Sequence, residues 1–255
     1  MSTSAKRLQN LKEKYTGQRC FILGNGPSLN KTHLELLEKE TVWGFNKIYL
    51  LFNRIAWKPR FYVTNDRRLT QNISQEINLL IHQLTDTVFF FPDHFSSKEI
   101  KDTRGNIHWY HEKPWDPPKN TGAPLFSQDP SKYVLNTATV TIAGLQLAAY
   151  LGFNPIYLVG CDTTYKIPST VMLENGNPEM LTSTVNDDLN HFTPNYSGKG
   201  DKWSAPNVPL MILQYEDARK ALEKMNVQVY NATVGGQLEV FPRVAFESLF
   251  RIRRD

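Results

Sequence analysis

Four consecutive apolar residues, Cys20-Phe21-Ile22-Leu23, run straight into Gly24-Asn25-Gly26-Pro27-Ser28. An apolar run without alternation describes a strand covered on both faces, and the glycine and proline after it describe a tight turn. Strands buried on both sides belong to parallel sheets flanked by helices, so this segment points to an α/β protein. Val42-Trp43-Gly44-Phe45-Asn46 and Phe61-Tyr62-Val63-Thr64-Asn65-Asp66 repeat the pattern. Asn25, Asn46 and Asn65 then fall at the carboxyl ends of successive strands, the edge at which open α/β sheets bind ligands.

The rest of the chain continues the alternation. Leu8, Leu11 and Tyr15 recur at helical spacing before Gly17, and a second helix is expected over residues 32–40, capped by Ser28 or Asn30 with Leu34, Leu36 and Leu37 facing inward. A helix over 74–84 and strands at 88–91 and 107–110 follow, then a polar, proline-rich loop over 112–132. Asn136-Thr137-Ala138-Thr139 caps a helix that runs to Leu151, Gly152 stops it, and a buried strand over 155–160 ends in Cys161-Asp162. Residues 165–208 are polar and punctuated, too long for an ordinary connection, and read as a lid that is mobile until ligand binds. A helix over 210–224, a strand over 227–231 and a terminal helix over 246–253 close the pattern. The expectation is one nucleotide-binding α/β domain over 1–255, with a Rossmann-like, mostly parallel sheet, helices on both faces and a lid-like insertion at about 165–208.

Composition narrows the partners. Lys and Arg number 29 against 25 Asp and Glu, and a net charge of +4 is too small for a nucleic-acid-coating arm but suits an anionic small ligand or an acidic membrane surface. No apolar run reaches a membrane-spanning length, and the first residues lack the apolar stretch of a signal peptide, so the expected location is the cytoplasm. Cys20 and Cys161 lie in separate strand segments without C-x-x-C spacing and read as buried thiols rather than a disulfide or zinc site.

The residues that can carry chemistry cluster at strand ends and in the insertion. Glycines on either side of Asn25 let backbone approach a phosphate, although the loop is neither G-x-G-x-x-G nor a P-loop. The amides of Asn46 and Asn65 both donate and accept, which suits base edges and ribose hydroxyls. Asp66, Arg67 and Arg68 follow, a solvated turn or a phosphate clamp. Asp162 stands where ligand-orienting acids lie, Tyr165 can donate to a leaving phosphate, and His191 in the insertion is a candidate general base. Asp187, Asp188 and His191 read as a solvated turn rather than a metal site, and His33, His82, His94, His108 and His111 show no ligand spacing. Trp109, Trp115 and Trp203 read as packing under a loop or as stacking platforms for a sugar or base.

The order Gly24-Asn25-Gly26-Pro27-Ser28-Leu29, Phe45-Asn46-Lys47-Ile48-Tyr49, Leu147-Ala148-Ala149-Tyr150-Leu151-Gly152-Phe153, Ile156-Tyr157-Leu158-Val159-Gly160-Cys161-Asp162 and His191-Phe192 resembles the 6-hydroxymethylpterin diphosphokinase-like superfamily. That superfamily includes motility-accessory flagellin glycosyltransferases and is similar to single-domain bacterial sialyltransferases. The resemblance runs from about residue 18 to 250 and takes in Asn231-Ala232-Thr233, Gly235-Gly236 and Phe241-Pro242-Arg243. It implies that Asn25, Gly26, Ser28, Asn46 and Asn65 hold a CMP-sugar, with Thr137 and Thr139 near its phosphate. It also implies a lid histidine as base and tyrosines that assist departure of CMP without a metal. His191 and Tyr165 match those roles, while the same alignment sets Asn195 at the base's own position.

Three functions remain open on the sequence. The first is a glycosyltransferase that moves a CMP-activated acidic sugar onto a bacterial cell-surface glycan, with the nucleotide-sugar as substrate and no cofactor required. The second is an ATP-dependent 6-hydroxymethylpterin diphosphokinase, which needs Mg²⁺ and has only Asp66 and Asp162 as obvious carboxylates. The third is a non-catalytic nucleotide-binding module. The expected partners are the nucleotide donor and a glycan acceptor and not nucleic acid, with peripheral attachment to the inner membrane and homo-oligomerisation left open.

Overall fold

The computed structural model describes residues 3–95, 99–101, 104–116, 125–174 and 177–250. In chain order the strands are β1 (Cys20–Leu23), β2 (Val42–Phe45), β3 (Phe61–Val63), β4 (Val88–Pro92), β5 (Ile107–Tyr110), β6 (Glu112–Pro114), β7 (Val134–Asn136), β8 (Ile156–Val159), β9 (Val171–Glu174), β10 (Asn177–Ser183), β11 (Lys202–Ser204) and β12 (Val229–Asn231). The helices are α1 (Thr3–Gln9), α2 (Arg67–Asn72), α3 (Ser74–Gln83), α4 (Val140–Tyr150) and α5 (Val208–Lys224). Seven strands form one sheet in the order β12-β8-β1-β2-β3-β4-β5, and every neighbouring pair in it is parallel.

Alternation along the strands divides the core. Cys20, Ile22, Trp43, Phe45, Phe61, Val63, Ile156 and Leu158 face one side, where α1, α4 and α5 cover them. Phe21, Leu23, Val42, Tyr62, Phe89, Phe91 and Val159 face the other, under α3 and short 3₁₀ turns. A period of two along each strand explains both clusters, and burial on both faces explains why the strands read as unbroken apolar runs. Helix α3 buries Ile77, Leu80 and Ile81 at helical spacing, whereas α4 is buried from Thr141 to Tyr150 on every face. The one amide inside α4, Gln146, accepts from the backbone N–H of Ser127 (3.0 Å) and Leu135 (2.9 Å), which ties the helix to β7.

The structure departs from the sequence reading in several places. The first helix ends at Gln9, so Leu11 and Tyr15 lie in turns. Residues 32–40 form no α-helix: two 3₁₀ turns, Pro27–Lys31 and Leu34–Leu37, replace it, and Leu36 is exposed. Pro27 and the tight exit from β1 favour i to i+3 bonding here, and only Leu29, Leu34 and Leu37 need covering. The 112–132 loop contains β6, which pairs in parallel with β7; residues 117–124 lie outside the described residues. Within the 165–208 segment, expected as a lid, β9, β10 and β11 make an antiparallel sheet of their own. The C-terminal turn is 3₁₀, Phe246–Phe250, and residues 251–253 of the expected helix lie outside the described residues.

Candidate active site

Chain order reverses at β1, whose neighbours are β2 on one side and β8 on the other, and the crevice outside that switch point is where such sheets hold ligands. Read along the carboxyl edge, the residues just past the strands are Asp162 after β8, Asn25 after β1, Asn46 after β2, Asn65 after β3, His94 after β4 and Glu112 after β5. At roughly 4.8 Å per strand this row spans about 24 Å. A cavity of about 450 Å³ runs along it, lined by all six and by Tyr165, His191 and Tyr196 from the insertion.

The glycine loop is held by contact rather than by helix. A Cβ on Gly24 would lie 2.3 Å from the Gly160 carbonyl oxygen, and one on Gly26 would lie 1.9 Å from Asp162 Oδ2, so neither position admits a side chain. Asp162 accepts from the Ser28 hydroxyl (2.7 Å) and the Ser28 backbone N–H (3.2 Å), which clasps the β1 and β8 exits together. Burial raises the Asp162 carboxyl above its ordinary value, and the Ser28 hydrogen bonds oppose that rise. Ser28 is buried, and its hydroxyl is engaged by Asp162 rather than facing the cavity.

Asn46 adopts a positive φ of 50°, a conformation that asparagine tolerates better than most residues, and this turns the chain out of β2. Asn25 Nδ2 donates to the Phe45 carbonyl (3.1 Å) and the Tyr196 hydroxyl (3.0 Å). Among the described residues, neither Asn25 Oδ1 nor Asn46 Oδ1 finds a donor, although both atoms are buried. An unmet buried acceptor costs about 1–3 kcal/mol, so two of them on one edge need a ligand or water to satisfy them. Beside them α4 begins: Thr139 caps it through the Thr141 N–H, and Thr137, Thr139, Val140 and Thr141 all line the cavity. Free N–H groups at such a terminus attract a phosphate.

The insertion supplies the titratable groups. Phe192 N–H donates to the Asn25 carbonyl (3.0 Å), and Lys47 Nζ donates to the Tyr196 carbonyl and to Asp201 (both 2.7 Å). His191 stacks on Tyr196 with ring centres 3.7 Å apart, and its Nδ1 lies 2.7 Å from Asp188 Oδ2. Burial pushes the Asp188 carboxyl up, but hydrogen bonds from His191, Asn190 and Ser197 together bring it below its ordinary value. An ionised carboxylate only accepts, so Nδ1 carries the proton and Nε2 is left as the basic nitrogen. Tyr165 is 37% exposed, and desolvation of its phenol, with Cys161, Asp162 and Asp188 adding to the rise, holds it above its ordinary value, so it is a hydrogen-bond donor at neutral pH. Asn195 is exposed and does not line this cavity.

A family model described as 6-hydroxymethylpterin diphosphokinase MptE-like matches residues 1–168. The chain belongs to the MptE-like family. Among solved structures it is similar to the MAf glycosyltransferase from Magnetospirillum magneticum AMB-1, at 16% identity and a TM-score of 0.51, over 98% of this chain and 39% of that one. The MptE-like chain thus spans about two fifths of that protein's length. It is also similar to the sialyltransferase CstII from Campylobacter jejuni in complex with CMP-3FNeuAc, at 13% identity, a TM-score of 0.47, and 89% and 86% coverage. No curated protein matches it. At 16% identity the likeness to the MAf glycosyltransferase is one of fold alone, a parallel α/β sheet.

Several residues of this MptE-like cleft escaped the sequence reading. His94 and Glu112 are strand-end residues of β4 and β5, where the rule applied to β1, β2 and β3 would have found them. Burial pushes the Glu112 carboxyl up to about 7 against hydrogen bonds from Asn65 and Asn136, with Asp93 adding to the rise. Tyr196 and Lys47 meet through a tertiary contact over 149 residues, which no local pattern reveals, whereas Asp188, read from the sequence as part of a solvated turn, lies three residues before its partner His191. Cys20 and Cys161 are buried and free, and among the described residues no three His, Cys, Asp or Glu side chains are grouped to hold a metal ion. No helix among them is long and apolar enough to cross a membrane.

Proposed function

We propose that the chain is a nucleotide-sugar-dependent glycosyltransferase that moves a CMP-activated acidic sugar onto a glycan for the bacterial cell surface. The observation that carries this reading is the Asp188–His191 pair stacked on Tyr196 and opening onto the same cavity as the glycine loop and the start of α4. In it Asn25, Gly26, Asn46 and Asn65 bind the nucleotide, Thr137 and Thr139 sit at its phosphate, and Asp162 and Ser28 fix the loop. His191 Nε2 takes the proton of the acceptor hydroxyl as that oxygen attacks the anomeric carbon, and Tyr165 donates to the departing phosphate. A leaving group with one phosphate matches one helix N-terminus and one phenol.

The test is direct. His191→Ala lowers transfer by about 10²-fold or more, and EDTA leaves wild-type transfer unchanged. Full activity in that variant overturns the scheme. The family description favours a second reading, pyrophosphoryl transfer to a pterin alcohol. Its two candidate carboxylates stand after β3 and β8, with β1 and β2 between them, Asp66 capping α2 and Asp162 holding Ser28. Loss of activity in EDTA with rescue by Mg²⁺ would move the assignment there.

A further inference from the structure

A second cavity of about 360 Å³ adjoins the first, and His191, Tyr165, Asn190 and Tyr196 line both. We propose that this second cavity is the acceptor subsite and that it takes a neutral pyranoside, stacked on Trp203, with one hydroxyl presented to His191. The inference rests on the glycosyltransferase reading and adds the acceptor's chemical class.

Three observations carry it. The first is the shared wall: a base that activates water needs no second chamber, whereas one that takes the proton of an acceptor hydroxyl must border both substrates. His191 borders both. The second is the platform. Trp203 lies on β11, is half-buried, and donates from Nε1 to Ser183 Oγ (3.0 Å), which fixes the ring's orientation in the cavity wall. Leu69, Pro206 and Met211 complete an apolar side, so the chamber offers an aromatic face with polar groups at its margin, which suits a sugar's apolar C–H face and hydroxyl rim. The third is charge. Lys47, Arg68 and Lys202 line the cavity against Asp66, Asp188 and Asp201, and the formal sum is zero. The Lys47–Asp201 pair is neutral within that sum, so the lining as a whole carries no net charge to select an ionised ligand.

Trp203 does not line the first cavity, which separates the two halves of the site experimentally. Saturation-transfer NMR in the presence of CMP would use methyl glucoside, methyl galactoside and methyl N-acetylglucosaminide as neutral probes, with glucuronate and galacturonate as matched acidic ones. CMP affinity would be measured by calorimetry on the same samples. The proposal expects at least one neutral probe to bind, to weaken by about tenfold or more in Trp203→Ala, and to be retained in Trp203→Phe, with CMP affinity equal in all three proteins. Neutral probes that fail to bind while CMP binds, or that bind Trp203→Ala as well as wild type, overturn the acceptor assignment and leave the donor reading intact. Acidic probes that bind better than their neutral partners, or a serine peptide that binds where the pyranosides do not, overturn the chemical class. Wild type that does not bind CMP overturns both.

Discussion

The carboxyl edge of the seven-stranded sheet and the 165–208 insertion face each other across one cavity, yet they are built by opposite means. The edge is a row of strand ends fixed by parallel pairing, a two-sided apolar core and glycine contacts under 2.5 Å from a would-be Cβ. What it offers are amides and backbone N–H groups, which bind without changing charge. The insertion is a small antiparallel sheet and a run of turns, with Ile167, Met172, Leu173 and Leu189 left exposed, and it is held to the body by Phe192 and Tyr196 buried in the core and by a few polar contacts. What it offers are an imidazole, a carboxylate and phenols. Under the proposed function the rigid edge binds the donor and the attached segment carries the proton transfer.

The largest expected effect tests the rigidity of the edge. Gly26→Ala forces a methyl group into the Asp162 carboxylate and breaks its hold on Ser28, for a cost of about 3 kcal/mol. Thermal melting would show a drop of roughly 6–12 °C, together with loss of nucleotide binding. A variant that melts with wild type and still binds CMP would mean that the loop is not clasped.

A smaller effect is expected at the insertion's anchor. Lys47→Met removes the donors to the Tyr196 carbonyl and Asp201, a loss of about 1–3 kcal/mol that falls on the insertion rather than on the sheet. Hydrogen exchange would then quicken by about tenfold or more over 190–204 while β1, β2 and β8 keep their protection. Uniform quickening across both regions would erase the distinction between them.

The smallest concerns the far end of the edge. Because the folded Glu112 carboxyl titrates at about 7, above the ordinary carboxylate range, the folded chain holds a proton that the unfolded chain has released, and stability falls as pH rises through that window. Glu112→Gln removes the charge and with it this loss. The melting temperature of the variant should match wild type near about pH 4 and exceed it by several degrees near about pH 8. A constant difference at both values would show that Glu112 does not titrate there.

The same division governs what the sequence made legible. Strands β1, β2, β3, β4, β5 and β8 stood out because burial on both faces leaves an apolar run, and their ends followed directly, so Asn25, Asn46, Asn65 and Asp162 were placed by local pattern. The 32–40 helix was misread because leucine spacing alone does not separate one α-helix from two 3₁₀ turns after a proline. In the insertion, His191 was legible as a residue type in a polar tract, but its pairing with Asp188 and its stacking on Tyr196 were not. Those partners act through folding of a segment whose short strands β9 and β11 carry little periodicity. Ser28 shows a further limit: the sequence put its hydroxyl toward a ligand, and the fold turns it to Asp162.

Calorimetric titration of CMP into wild type, Asn25→Ala and His191→Ala tests the division most directly. Removing the Asn25 amide takes away an edge contact and should weaken CMP by about tenfold, or about 1.4 kcal/mol, while His191→Ala should bind it within about twofold of wild type. If His191→Ala loses as much affinity as Asn25→Ala, or if Asn25→Ala binds CMP unchanged, the edge is not the binding half of the site and the account is wrong.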